Sequence, residues 1–149
     1  MSLGLELVVN GGFNEDISEW TTDTWEWLNF GGREQASCPN LITGYIKQTI
    51  TSLVAGKTYQ LRFYHDGFAS PDKVEFGGDT IIDFVEEEGG TRYWTKNIVL
   101  GVTNKEIKFT KETIAHLTFL DDVSVKEVIA DSGGISVDSF MDIYDENDW

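Results

Sequence analysis

From Thr58 to His65 the side chains alternate without a break. Tyr59, Leu61, Phe63 and His65 share one parity, and Gln60, Arg62 and Tyr64 share the other. A period of two belongs to a strand with one buried face and one open face; a helix would scatter these groups around its circumference. Looser versions of the pattern recur along the chain. Leu5 to Phe13 reaches Gly11-Gly12, Trp25 to Phe30 stops at Gly31-Gly32, and Tyr45 to Leu53 stops at the Ala55-Gly56-Lys57 turn. Val74 and Phe76 lead through Gly77-Gly78-Asp79 to Ile82 and Phe84, which reads as a hairpin, with a short helix over 80–88 as the competing reading. Tyr93 to Val102, Glu106 to Thr110 and Leu117 to Val128 complete the series. About nine or ten strands, with turns roughly every 8–12 residues, predict an all-β antiparallel jelly-roll sandwich over residues 1–129.

A chain of 149 residues has the size of one domain. Five Trp and nine Phe supply ample core material. The charge is lopsided: 26 acidic side chains against 11 basic ones give a net −15. That field repels nucleic acid and anionic membrane surfaces, and it suits solvation, calcium or a basic protein partner. No run of about 18 apolar residues is present, so no membrane span is expected. The opening MSLGLELVVNGGF lacks a basic n-region and an apolar stretch of signal-peptide length, so synthesis in a cytoplasm is the expectation.

The residues offer little to catalysis. With one Cys and two His, a cysteine-based zinc site is short of ligands, and an internal disulfide cannot form. Neither His65 nor His116 sits in a recognisable nucleophile–base arrangement, and no G-x-S-x-G elbow surrounds a serine. Carboxylate pairs are plentiful because acids are plentiful, which makes any single pair uninformative. The expectation is a protein that binds rather than catalyses and needs no cofactor. Structural calcium stays open. Residues 10–16 offer oxygens on a glycine turn and Asp121-Asp122 adds two carboxylates, while an Asx turn and a solvated strand end explain the same residues. Trp25 and Trp27 share a parity, as do Arg62 and Tyr64; together they would line a shallow sugar-binding groove, or else the tryptophans belong to the core.

Three segments carry a resemblance. They are Leu7-Val8-Val9-Asn10-Gly11-Gly12-Phe13 followed by Trp20; Ile46-Lys47-Gln48-Thr49-Ile50 leading to Thr58-Tyr59-Gln60-Leu61-Arg62-Phe63; and Leu120-Asp121-Asp122-Val123-Ser124-Val125. In this order and spacing, over residues 5–128, the chain resembles the carbohydrate-binding jelly-roll modules of the galactose-binding-like superfold. The resemblance implies glycan binding on a sheet face. It also implies a structural calcium between the segment after the first strand and the final Asp pair, at Asn14 and Asp122; the family usually has an acid where Asn14 stands.

Small chains with this pattern also resemble structural proteins of tailed bacteriophages. That likeness implies a virion surface, decoration or adhesion module, made in the host cytoplasm, whose partners are other copies of itself or a larger capsid or tail protein. Residues 130–149 fit the picture as a separate arm. A glycine joint at Gly133-Gly134 precedes acids mixed with Val137, Phe140, Ile143, Tyr144 and Trp149. Such an arm is either a solvated tail or a segment that docks in trans.

Overall fold

The computed structural model describes residues 2–65, 71–87, 89, 92–101, 104–114 and 116–130. Val137, Phe140, Ile143, Tyr144 and Trp149 of the arm lie outside the described residues. Among the described residues there is no helix; twelve strands form two antiparallel sheets. They are β1 (Ser2–Glu6), β2 (Thr21–Asp23), β3 (Glu26–Phe30), β4 (Arg33–Cys38), β5 (Gly44–Thr49), β6 (Thr58–Tyr64), β7 (Lys73–Phe76), β8 (Asp79–Ile81), β9 (Val85–Glu86), β10 (Tyr93–Val99), β11 (Glu106–Lys111) and β12 (Thr118–Ile129). One sheet has the order β3-β4-β12-β6-β10-β9, with β1 also paired to β12; the other has β2-β5-β11-β7-β8.

Strand β6 behaves as its alternation demands. Tyr59, Leu61 and Phe63 are buried, while Arg62 and Tyr64 face outward and are half-buried. Phe63 is the hub of the core. Its ring meets Phe109 of the opposite sheet edge-on at 5.1 Å, Phe84 at 5.1 Å and Trp94 at 5.8 Å. Edge-to-face packing of this kind adds about 0.5–1.5 kcal/mol per pair beyond the area buried. The 73–81 segment is a hairpin, and the strands β8 and β9 occupy described residues of 80–88 where the competing reading had a helix. Phe76 pairs with Asp79, and Gly77 and Gly78 take positive φ at the two turn positions, as a tight hairpin requires.

The Asn10-Gly11-Gly12-Phe13 segment follows the first strand rather than continuing it, because β1 ends at Glu6. Asn10 organises the turn: its amide donates to the Ser18 carbonyl at 3.0 Å, and its oxygen accepts from the Asn14 N–H at 3.0 Å. Phe13 and Trp20 then plug the core, with rings 5.4 Å apart. Gly11 is required where it stands, since a side-chain carbon there would lie 2.1 Å from the Val123 carbonyl oxygen. The contact is held by the Val123 N–H donating to Gly11 O at 3.0 Å.

That contact falls on a bulge in β12. The register with β6 shifts between Asp121 and Ser124, and Asp122 has φ +47°. The extra residue keeps Leu120, Val123 and Val125 in the core. It also turns Asp121 and Asp122 to the same, outer side of the sheet, Asp121 buried and Asp122 more open, where strict alternation would have sent them to opposite faces.

Candidate functional site

The outer face of the larger sheet carries an ordered stack of charged and aromatic side chains, contributed by neighbouring strands. Arg33, at the start of β4, points its guanidinium across β12 and donates to Asp121 Oδ2 at 2.7 Å. It lies 3.5 Å from Asp122 Oδ2. The same guanidinium sits over the ring of Tyr64 of β6, its Cζ 3.7 Å from the ring centroid. Tyr64 pairs in register with Tyr93 of β10, and their rings meet edge-on at 5.6 Å. Arg62 covers Tyr93 at 3.8 Å and donates to Glu87 at 2.6 Å. The Tyr93 hydroxyl returns to the centre, donating to Asp122 Oδ2 at 2.5 Å. Each cation is thus held by a ring and by a carboxylate, which fixes its orientation.

Beside this stack the β3–β4 hairpin turns at Gly31-Gly32, both with positive φ and with open space around them. Phe30, paired with Arg33, is 62% exposed and rests on the buried ring of Phe119, centroids 5.7 Å apart and 20° from parallel. It is the one large exposed aromatic among the described residues. Two depressions of about 300 Å³ each meet at Gly12 and Asp122. Glu6, Arg62, Ser124 and Lys126 line one; Asn14, Arg33, Glu34 and Asp121 line the other. A depression of about 360 Å³ lies elsewhere, around Gln48 and Thr49. Gln48 is occupied there in binding the backbone of Val9 and Glu19.

The electrostatics of the stack are uneven. Burial, reinforced by the adjacent Asp122 charge, pushes the Asp121 carboxyl up to about 6 despite the Arg33 cation. Burial and the same Asp122 raise the Tyr93 hydroxyl above its ordinary value, so it stays a hydrogen-bond donor at neutral pH.

The sequence-predicted groove is therefore divided. Arg62 and Tyr64 lie on the outer face, but the tryptophans do not join them. Trp27 pairs with Ala36, which pairs with Leu120, and both partners are fully buried. Trp27 packs against the core and donates its indole N–H to the Phe13 carbonyl at 2.8 Å. Trp25 is 4% exposed and part of the core. Their shared parity is real, but it is the parity of the core face, so neither offers a plane to a sugar. Arg33, Tyr93, Phe30 and Glu87 were not singled out from sequence. The signals present were Arg33 immediately after a Gly-Gly turn and Tyr93 at the head of an alternating run.

Asn14 and Asp122 are brought together as the resemblance implies. The Asn14 amide oxygen and Asp122 Oδ1 lie 3.6 and 3.7 Å from where a Gly12 side-chain carbon would stand. Calcium wants six to eight oxygens. Among the described residues no three His, Cys, Asp or Glu side chains converge as a metal would need. The second oxygen of Asp122 is already committed to Tyr93 and faces the Arg33 guanidinium. That leaves Asp122 Oδ1 and the Asn14 amide oxygen as the side-chain oxygens open to a cation there.

No protein-family model matches the sequence, and no curated protein matches it either. Solved structures share its architecture, and three of them can be compared directly. The tailspike protein 4 enzymatically active domain of bacteriophage CBA120 superimposes with a TM-score of 0.59 at 14% identity, over 83% of this chain and 21% of that one. A second carbohydrate-binding module of family 16 gives 0.54 at 15% identity, over 80% of this chain and 98% of that one. TmCBM61, solved in complex with β-1,4-galactotriose, gives 0.53 at 17% identity, over 84% of this chain and 100% of that one. The fold is a carbohydrate-binding-module-like jelly roll. This chain therefore spans the whole of one such module but about a fifth of the tailspike chain. At these identities the likeness concerns the fold, and the ligand has to be argued from the site.

Proposed function

We propose that this chain is a non-catalytic glycan-binding module whose ligand lies on the outer face of the larger sheet. The observation that carries the reading is the Arg33–Tyr64–Tyr93–Arg62 stack. It presents fixed guanidinium N–H donors, a tyrosine hydroxyl and carboxylate acceptors along one surface, next to an open aromatic ring at Phe30. Sugars are held by this combination: a few oriented polar groups and a flat apolar plane. Fixing the donors before binding reduces the ordering cost that weakens shallow sites. Two full-length module matches, one solved with a galactotriose, support the reading. The test is a glycan array followed by calorimetry. Replacing Arg33 or Tyr93 should weaken any captured glycan about 10- to 100-fold, as loss of a charge-assisted hydrogen bond predicts. Unchanged affinity in both variants would move the site elsewhere.

A second reading is favoured by the tailspike match: the module works on a virion, as a surface or adhesion element that meets glycans of the host. Its partners would then include other copies of the chain or a larger capsid or tail protein. Val137, Phe140, Ile143, Tyr144 and Trp149 would supply the docking contacts. Deleting residues 133–149 should leave glycan affinity intact and abolish particle association; particle binding that survives the deletion argues against this reading.

A further inference from the structure

We infer that this face selects neutral glycans and excludes acidic ones, a refinement that rests on the glycan-binding reading above. Arginines on a ligand surface ordinarily invite carboxylates or sulfates. Here both are already paired within the protein. Arg33 is held by Asp121 and Asp122, and Arg62 by Glu87 through both of its carboxylate oxygens, at 2.6 and 3.1 Å. An acidic sugar would have to take a guanidinium from its partner. For Arg33 that would leave Asp121, only 4% exposed, beside Asp122 without its cation.

The surroundings tilt the same way. Around the two depressions and the stack stand the carboxylates of Glu6, Glu34, Glu87, Asp121 and Asp122, against the cations Arg33, Arg62 and Lys126. Glu6 cannot swing aside, because its Oε2 accepts from the N–H groups of Val8 at 3.2 Å and Val125 at 2.8 Å. Glu34 is pinned by the Glu15 N–H at 2.5 Å. The chain as a whole carries −15, so the long-range field opposes an anionic polymer before contact. A neutral sugar meets none of these penalties. Its hydroxyls donate to the carboxylates and accept from the remaining guanidinium N–H groups. The apolar C–H face of a pyranose fits the open ring of Phe30, which Phe119 supports from behind.

The experiment uses the full chain against two immobilised panels at low and high salt. The neutral panel is galactan, glucan, mannan and xylan; the acidic panel is polygalacturonate, alginate and chondroitin sulfate. The expected result is capture of at least one neutral glycan with little salt dependence, and at least tenfold weaker capture of every acidic one. An acidic polymer bound as well as or better than the neutral ones overturns this inference and leaves the glycan-binding reading standing. Capture of neither panel overturns both.

Discussion

The guanidinium of Arg33 lies 3.7 Å above the ring of Tyr64 while donating to Asp121 at 2.7 Å. One side chain therefore ties β4, β6 and β12 together at the surface, and it does so beside the bulge that keeps Asp121 and Asp122 adjacent. What looks like a ligand-ready surface is also a structural clasp.

The first prediction follows from that double role. Arg33→Met should destabilise the fold by about 1.5–3 kcal/mol, the range for a hydrogen bond to a charged group. Because the loss comes from stranding Asp121, the added change Asp121→Asn should cost much less in the Arg33→Met background than in the wild type. A double-mutant cycle measured by urea unfolding checks this. Additive losses would mean that the two side chains do not act as a pair.

Asp121 also sets a pH dependence. Its folded value of about 6 lies above the ordinary aspartate value of 3.8. Between those values the folded state holds a proton that the unfolded state releases, so this group's contribution to stability falls as pH rises through the window and grows on acidification from pH 7 to pH 5. Asp72 behaves oppositely. Although partly buried, its carboxyl is held below 3.8 by the N–H groups of Thr113 and Glu112, so its contribution is lost only in stronger acid. A carboxyl-carbon NMR titration should place the Asp121 midpoint near 6. A midpoint below 4 would show that Arg33 outweighs burial.

In the core, Phe63 links the sheets through Phe109. Phe63→Ala should cost about 3–5 kcal/mol in chemical denaturation. A loss below about 1 kcal/mol would mean that the ring is not buried as described.

The calcium question has a direct readout. A ligand bound only to the folded state raises its stability by mass action. Asp122 Oδ2 is already taken by the Tyr93 hydroxyl, and Arg33 supplies the cation beside it. Excess chelator should therefore leave the melting curve unchanged. A fall in melting temperature, restored by calcium and absent in Asp122→Asn, would reinstate the metal.

Much of the fold was readable because alternation reports burial directly, as in β6, and because Gly-Gly pairs mark the turns at 31–32 and 77–78. β4 escaped notice since Arg33 to Cys38 contains no bulky apolar side chain; its core positions are Ala36 and Cys38. β2, β8 and β9 are too short to show a period. The site was half legible. Parity put Arg62 and Tyr64 on one face, but it cannot say which side of a different strand shares that face, so Trp25 and Trp27 stayed open between groove and core, and they belong to the core. Nor does parity reveal a bulge. Asp121 and Asp122 would alternate in a regular strand, and only the register shift beside Gly11 sets them together.

The central claim is that a glycan occupies the outer face of the larger sheet. The most direct measurement is an amide NMR titration of the full chain with a glycan captured on the array. The account predicts that the largest shifts fall on Arg33, Arg62, Tyr64 and Tyr93, with Phe30 moving alongside them. The opposite sheet offers an internal control, because its outer face carries Tyr45 flanked by Lys47 at 5.5 Å and Lys108 at 4.7 Å. Shifts centred on Tyr45, Lys47 and Lys108, with the Arg33 to Tyr93 row unmoved, would contradict the account.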